Sequence, residues 1–306
     1  LGGEFAVPEL PEVETVCRGL AGVLEGRRLA RVLVRRKDLR IPFPPRFAES
    51  LTGRKVEKIR RRAKYMLLDL DDGNVLIVHL GMSGRMVVDT SGAPPAAHDH
   101  VIFTTDQGVE IRFNDPRRFG LMTLAPREGL EGHKLFRHLG PDPLTPAFTP
   151  AALSAALKGR KTSIKAALLD QRIVVGVGNI YACESLYRAG ISPLRKAETI
   201  AGARAEKLVP AIKAVLNAAI AAGGSSLRDH VQPSGELGYF QHAWKVYGRE
   251  GESCACLESQ KAAKGGKAPS GRKGSGAKGA GNKGKGVVRR ITQAGRSTFY
   301  CTGCQT

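Results

Sequence analysis

Four of the six cysteines fall near the C-terminal end in two pairs, Cys254-Ala255-Cys256 and Cys301-Thr302-Gly303-Cys304. Six cysteines in 306 residues are too few for a disulfide-built scaffold. Their pairing points instead to a metal held in a reducing compartment. The two-residue spacer of Cys301 and Cys304 suits tetrahedral zinc, whereas the one-residue spacer of Cys254 and Cys256 makes a tight knuckle harder to form. The 44 residues between the pairs cost little, because closure entropy grows only logarithmically. At the other end, Pro8-Glu9-Leu10-Pro11-Glu12 sets a proline and two carboxylates at a helix start; taken alone, that is an ordinary helix entry. In Val175-Gly176-Val177-Gly178-Asn179 the glycines permit close backbone approach to a phosphate. The helix N-terminus after them favours an anion, and the Asn179 amide can donate. A plain interhelical turn would carry the same residues. The net charge decides the partner class: 48 Lys and Arg against 28 Asp and Glu give +20. That balance points to a polyanion, nucleic acid ahead of a membrane surface. No apolar run approaches the roughly 18 residues of a membrane span, and no secretory leader is evident.

The elements that must position these groups follow from periodicity. From Pro11, Val13, Val16, Cys17, Leu20, Val23 and Leu24 repeat at helical spacing, with Glu12 and Glu14 at the positive end of the dipole and Gly26 as the stop. Short apolar segments follow at 29–34, 55–59, 65–70, 75–80, 85–88, 101–105, 109–113 and 120–124, with hairpin signals at Asp71-Asp72-Gly73-Asn74 and Asp106-Gln107-Gly108. A helix and about eight strands read as a β-sandwich with a helix against it. Gly140-Pro141-Asp142-Pro143 marks a boundary. Beyond it helices are expected at 149–157, 163–169, 180–188 and 198–222, with Cys183 buried in the third. From Lys261 to Arg290 there are ten Lys and Arg and no acidic residue, a composition that cannot bury a core.

Pro8–Thr15, PELPEVET, resembles the N-terminal signature of the bacterial formamidopyrimidine-DNA glycosylases. Further matches are RRRAKYML (60–67), HLGMSG (79–84), NDPRRFG (114–120), VGVGNIY (175–181), SGELGYFQ (234–241) and the segments around the cysteine pairs. They run from Pro8 to Gln305, interrupted only by the basic stretch. The resemblance implies that Pro8, as a free N-terminal amine, attacks C1′ of a damaged nucleotide. An α-amine has a pKa near 8, so a useful fraction is unprotonated at neutral pH. It forms a Schiff base with the opened sugar, and β- and δ-elimination then cut the strand. Glu9 would protonate the ribose ring oxygen or shuttle protons, Glu12 would help position the site, and Lys64 completes the catalytic set by binding phosphates around the extruded nucleotide. Met82, Arg117 and Phe119 are the implied intercalating residues: apolar wedges unstack base steps, and Arg117 can hydrogen-bond the orphaned base. The resemblance assigns His98, Arg117, Lys165, Asn179 and Arg296 to DNA binding. It makes Cys254, Cys256, Cys301 and Cys304 the ligands of one structural zinc ion. In the GYFQ loop, backbone amides would read a lesion carbonyl; Tyr239 and Phe240 serve equally well as packing anchors.

The implied fold is α+β and multidomain: a β-sandwich with a long N-terminal helix (8–140), a helix–two-turn–helix domain (149–245) and a zinc β-hairpin module (246–306) with a disordered basic insertion at about 259–288. The implied function is a DNA glycosylase with AP-lyase activity on oxidised purines, 8-oxoguanine and formamidopyrimidines, in double-stranded DNA. The partners expected are damaged duplex and no membrane; the protein would be a bacterial cytoplasmic monomer associated with the nucleoid. PELPEVET and GYFQ favour this branch over the endonuclease VIII branch, which prefers oxidised pyrimidines. A damaged-DNA binder without catalysis is the alternative from another class. An amide nitrogen cannot act as nucleophile, so Pro8 must lose residues 1–7. That leader, LGGEFAV, reads as a cloning scar, as upstream sequence with Val7 at a GTG start codon, or as a true extension. The basic insertion adds salt-sensitive DNA affinity or is a solvated spacer.

Overall fold

Val13, Val16, Cys17, Leu20 and Leu24 share one face of a 3.6-residue repeat, and in the computed structural model they are buried along helix α1 (Leu10–Leu24). The structure describes residues 7–225, 233, 238–256 and 286–306. Residues 1–6 of the leader, residues 257–285, which take in most of the basic insertion, and residues 234–237 of the GYFQ loop lie outside the described residues. Pro11 occupies the first turn of α1, where its missing N–H costs nothing. Gly26, at φ 78°, follows the C-cap in the left-handed region that ends helices.

Eight strands come next: β1 (Leu29–Val34), β2 (Val56–Arg62), β3 (Tyr65–Leu70), β4 (Asn74–His79), β5 (Arg85–Asp89), β6 (Asp99–Thr105), β7 (Glu110–Asn114) and β8 (Leu121–Pro126). They pair antiparallel in two four-stranded sheets, ordered β1-β6-β7-β5 and β2-β3-β4-β8. This is the expected β-sandwich. The second sheet is covered on both faces. Met66, Leu68, Leu70, Leu76 and Val78 join the core that includes α1, whereas the intervening Leu67, Val75 and Ile77 pack with Leu130 and Phe136. The period-2 alternation therefore reads as a continuous apolar run. A short helix α2 (Phe47–Leu51) has no counterpart among the expected elements; five residues give no periodic signal.

Helices α3 (Pro150–Leu157) and α4 (Ile164–Leu168) are N-capped by the hydroxyls of Thr149 and Ser163. Helices α5 (Asn179–Arg188) and α6 (Ala203–Ala221) follow. Helix α6 begins later than the expected 198, because a 3₁₀ turn at Ala197–Thr199 and Gly202 at φ 52° intervene. The chain closes with the hairpin β9 (Val288–Gln293) and β10 (Arg296–Cys301). Two compact units result, and the cut between them is not contiguous. One holds residues 1–148, 170–178 and 213–243; the other holds 149–169, 179–212 and 244–306. Among the described residues, no helix is long and apolar enough to cross a membrane.

Candidate active site

Two carboxylates at the head of α1 organise the first unit. Pro8 is buried there, and Glu9 beside it is 3% exposed. The Glu9 Oε2 accepts the Gly178 N–H at 2.7 Å, and the Leu10 N–H donates to the Gly176 carbonyl at 3.0 Å. Glu12, equally buried, accepts the Glu9 N–H at 3.0 Å in a capping-box arrangement and the Ser225 N–H at 2.8 Å. Glu12 thus ties the helix head to the segment at 224–225. That segment is in turn bridged to the GYFQ loop, through Ser225 to Tyr239 and through the Phe240 N–H to the Gly224 carbonyl. Phe240 is buried as an anchor, whereas Tyr239 is 66% exposed.

The loops carrying Met82, Arg117 and Phe119 are fastened to each other. Asp115 is fully buried; its Oδ1 accepts the Ser83 hydroxyl at 2.5 Å and its Oδ2 accepts the Gly120 N–H at 2.7 Å. The Arg117 N–H reaches Ser83 Oγ at 3.1 Å. Gly81, at φ 69°, lies so near the other loop that a Cβ would sit 2.5 Å from the Phe119 carbonyl oxygen. Arg118 adopts the left-handed φ of 59° between Arg117 and Phe119. Met82 is half-buried, Phe119 is 44% exposed, and the Arg117 guanidinium lies 5.0 Å over the Phe119 ring. His98 is exposed one strand away, its carbonyl accepting the Asp115 N–H.

Lys64 sits at the two-residue turn between β2 and β3, after Ala63 at φ 55°. Its charge is felt by His79. Burial first, then the charges of Lys64 and Arg40, push that imidazole down to about 4. A neutral His79 can accept the Gly81 N–H through Nδ1 at 2.9 Å, which roots the Met82 loop.

In the second unit, three expected DNA-binding residues meet at the hairpin. Asn179 opens α5 and donates to the Ser297 carbonyl at 3.0 Å; Lys165 Nζ donates to the same oxygen at 3.3 Å. Lys165 is 0% exposed, so it supports the hairpin from beneath rather than presenting its ammonium at the surface. Arg296 is exposed next to Ser297, at the end of a turn whose Ala294 and Gly295 take φ of 48° and 71°. Glu184 on α5 accepts the N–H groups of Lys245, Val246 and Tyr247. Burial pushes this carboxyl up despite those donors.

The four cysteine sulfurs lie within 4.8 Å of one another. The Cys254–Cys304 and Cys256–Cys301 separations are 3.8 and 3.6 Å. A tetrahedron with metal–sulfur bonds of about 2.3 Å has edges of about 3.8 Å, so this donor set fits a metal ion such as zinc. The one-residue spacer does not prevent convergence. Gly303 faces Gly286 where a Cβ would meet the Gly286 nitrogen at 2.7 Å, and the Gly303 N–H reaches Cys301 Sγ at 3.3 Å. Tyr187 contacts Cys254 Sγ at 3.3 Å. Burial raises Cys254, but hydrogen bonding led by Tyr187 outweighs it and brings the thiol down to about 7, while burial and its cysteine neighbours push Cys256 up to about 12.

Comparison with known proteins gives these features their class. The structure superposes on crystal structures of DNA-repair glycosylases over nearly the whole chain. MutM (Fpg) from Thermus thermophilus matches with a TM-score of 0.78 at 35% identity, over 97% of this chain and 98% of that one. Lactococcus lactis Fpg in complex with abasic-site DNA matches with a TM-score of 0.79 at 30% identity, over 97% and 99%. The formamidopyrimidine-DNA glycosylase N-terminal domain model matches residues 7–122, and the H2TH domain model of the same glycosylases matches 139–231. The formamidopyrimidine-DNA glycosylases of Ruegeria pomeroyi and Acidiphilium cryptum are 55% and 52% identical to the chain, over 98% of it and all of each relative. The chain belongs to the formamidopyrimidine-DNA glycosylase family.

Asp115, Ser83 and Glu184 hold this site together without standing out in the sequence. Asp115 and Ser83 lie inside quoted motifs, and the signal was there: an acid between Asn114 and Pro116 in a strand-ending turn. Glu184 ends the segment Ile180–Glu184 that follows the glycine motif, but nothing local shows its role, because its partners lie 61 to 63 residues away.

Proposed function

We propose that the protein excises oxidised purines, 8-oxoguanine and formamidopyrimidines, from duplex DNA and then cleaves the abasic strand. The observation that carries this reading is the buried Glu9 carboxylate next to Pro8, held by the Gly178 N–H at the head of α1. The Pro8 nitrogen, freed as a chain terminus, donates its lone pair to C1′ while the N-glycosidic bond breaks and its electrons leave with the base, which takes up the proton that the nitrogen then sheds. Glu9 supplies a proton to the ring oxygen, so that the sugar opens to an iminium on Pro8. Loss of the C2′ proton then expels the 3′-phosphate, and δ-elimination expels the 5′-phosphate. In this reading Lys64 and His98 meet phosphates near the flipped nucleotide. Met82 and Phe119 fill the gap, and Arg117 faces the orphaned base. A damaged pair costs less to open, which favours lesion over normal duplex.

Arg296 and Asn179 contact phosphate in this scheme, with Lys165 holding the Ser297 carbonyl beneath them. Cys254, Cys256, Cys301 and Cys304 would hold zinc, whose chemistry here is to cross-link a hairpin too small to bury a core of its own.

The test is borohydride trapping on an 8-oxoguanine duplex, comparing protein that begins at Pro8 with the 306-residue chain. A covalent adduct only when Pro8 is terminal is the expected result. Absence of an adduct with correctly started, folded protein would refute the oxidised-purine assignment.

A further inference from the structure

We infer that Gln171 is a positioning residue for the Glu9 carboxylate, acting through the peptide plane that joins Val177 to Gly178; the inference rests on the glycosylase reading above. Gln171 spans the glycine loop with both ends of its amide. Its Oε1 accepts the Gly176 N–H at 2.7 Å, and its Nε2 donates to the Val177 carbonyl at 3.0 Å. The Val177 carbonyl and the Gly178 N–H belong to one peptide unit, which resonance keeps planar. Gripping the carbonyl end therefore fixes where the N–H end points. That N–H is the 2.7 Å donor to Glu9 Oε2. The neighbouring plane is held as well, since the Gly176 carbonyl accepts the Leu10 N–H at 3.0 Å.

The loop's own backbone offers little stiffness. Gly176 sits at φ 78°, and a Cβ there would lie 2.7 Å from the Leu10 side chain. A Cβ on Gly178 would lie 2.5 and 2.7 Å from the two Glu9 carboxylate oxygens. Two glycines in three residues give this turn its close approach, at the expense of conformational restraint. The Gln171 amide supplies that restraint. An asparagine is one methylene short of spanning both contacts. A glutamate keeps the acceptor for Gly176 but sets an oxygen against the Val177 carbonyl.

The test uses protein beginning at Pro8 with Gln171→Glu and Gln171→Ala. Single-turnover base excision is measured on an 8-oxoguanine duplex, and strand cleavage is measured separately on a preformed abasic duplex. The second substrate already equilibrates with an open-chain aldehyde and depends less on a proton from Glu9. Loss of the oriented donor is expected to slow base excision about tenfold or more in both variants. Cleavage of the preformed abasic site should change less than about threefold. The pH profile of base excision should move upward, because a carboxylate that loses an N–H donor holds its proton more tightly. Equal losses in both steps with a lowered melting temperature, or no loss in either, would overturn the inference. Wild-type protein that excises no base would bring down the glycosylase reading and this inference together, whereas full activity shared by wild type and variants overturns only the role of Gln171.

Discussion

Replacing Asp115 tests whether the loops of the proposed wedge residues, Met82, Arg117 and Phe119, are held by one buried carboxylate. Asp115 is 0% exposed and takes a hydroxyl from one loop and a backbone N–H from the other, at 2.5 and 2.7 Å. Hydrogen bonds to a charged group contribute about 1.5–3 kcal/mol each, and part of that is returned when the cost of burying the charge disappears. Asp115→Ala should therefore cost about 3–4 kcal/mol in urea denaturation, with the Gly120 N–H left buried and unpaired. Asp115→Asn, which keeps one acceptor, should cost about 2 kcal/mol. Ser83→Ala alone should cost about 1–2 kcal/mol, and adding it to Asp115→Ala should cost almost nothing more, because the shared bond is already gone. The functional readout is 2-aminopurine fluorescence in a duplex with an abasic analogue, which reports insertion opposite the lesion. Asp115→Asn should weaken retention of that duplex about tenfold while leaving undamaged duplex within about twofold. Additive losses in the double variant, or an Asp115→Asn protein as stable as wild type, would refute the reasoning.

Three further outcomes follow from other sites. His79 is held down at about 4 by burial and by Lys64 and Arg40, against about 6.5 when unfolded. Its contribution to stability is therefore complete above about 6.5 and lost as pH falls towards 4, up to about 2–3 kcal/mol; His79→Gln should flatten the denaturation midpoint across that window. Chelation with a strong zinc ligand, or Cys256→Ser, should release about one zinc per chain and abolish duplex binding while the sandwich unfolds as before. Metal content by emission spectroscopy checks the first part. Gly178→Ala must push Glu9 aside, since the new Cβ would lie 2.5 Å from Oε1. Stability should fall by about 2–4 kcal/mol and base excision by about a hundredfold or more, whereas Gly132→Ala, with open space around it, should be neutral.

Local pattern carried the fold a long way. The strand and helix segments were written in periodicity, and the turns at 71–74 and 106–108 were written in Asp and Gly. The late start of α6 was not, because Glu198 and Ala203 are both good helix formers and what parts them is a backbone event, the 3₁₀ turn at Ala197–Thr199 followed by Gly202 at φ 52°. Lys165 was legible as a cation but not as a buried one. Its burial depends on a hairpin 132 residues later in the chain. The cysteine pairs announced a metal by type, yet the one-residue spacer made the Cys254/Cys256 knuckle the harder one to form. What closes the knuckle is the meeting of Gly303 with Gly286 across the long insertion, which spacing cannot register.

A common device runs through the first unit. Three of the five acids buried there, Glu9, Glu12 and Asp115, share it in a chain of charge +20. Each accepts a backbone N–H from a glycine or from the residue after one: Gly178, Ser225 and Gly120. A Cβ at Gly178 or Gly120 would lie 2.5 and 2.9 Å from a carboxylate oxygen, and one at Gly224 would lie 3.3 Å from Glu12. The glycines are thus where they are because the acids need close backbone donors. Anchoring a loop by its backbone leaves its side chains free for another task. It also keeps negative charge out of reach of a polyanionic partner, since a buried carboxylate satisfied by N–H groups projects little field beyond its donors. Surface acids would repel the duplex. The same acids turned inward position Met82, Arg117 and Phe119, and bind the head of α1 to the two segments that flank it.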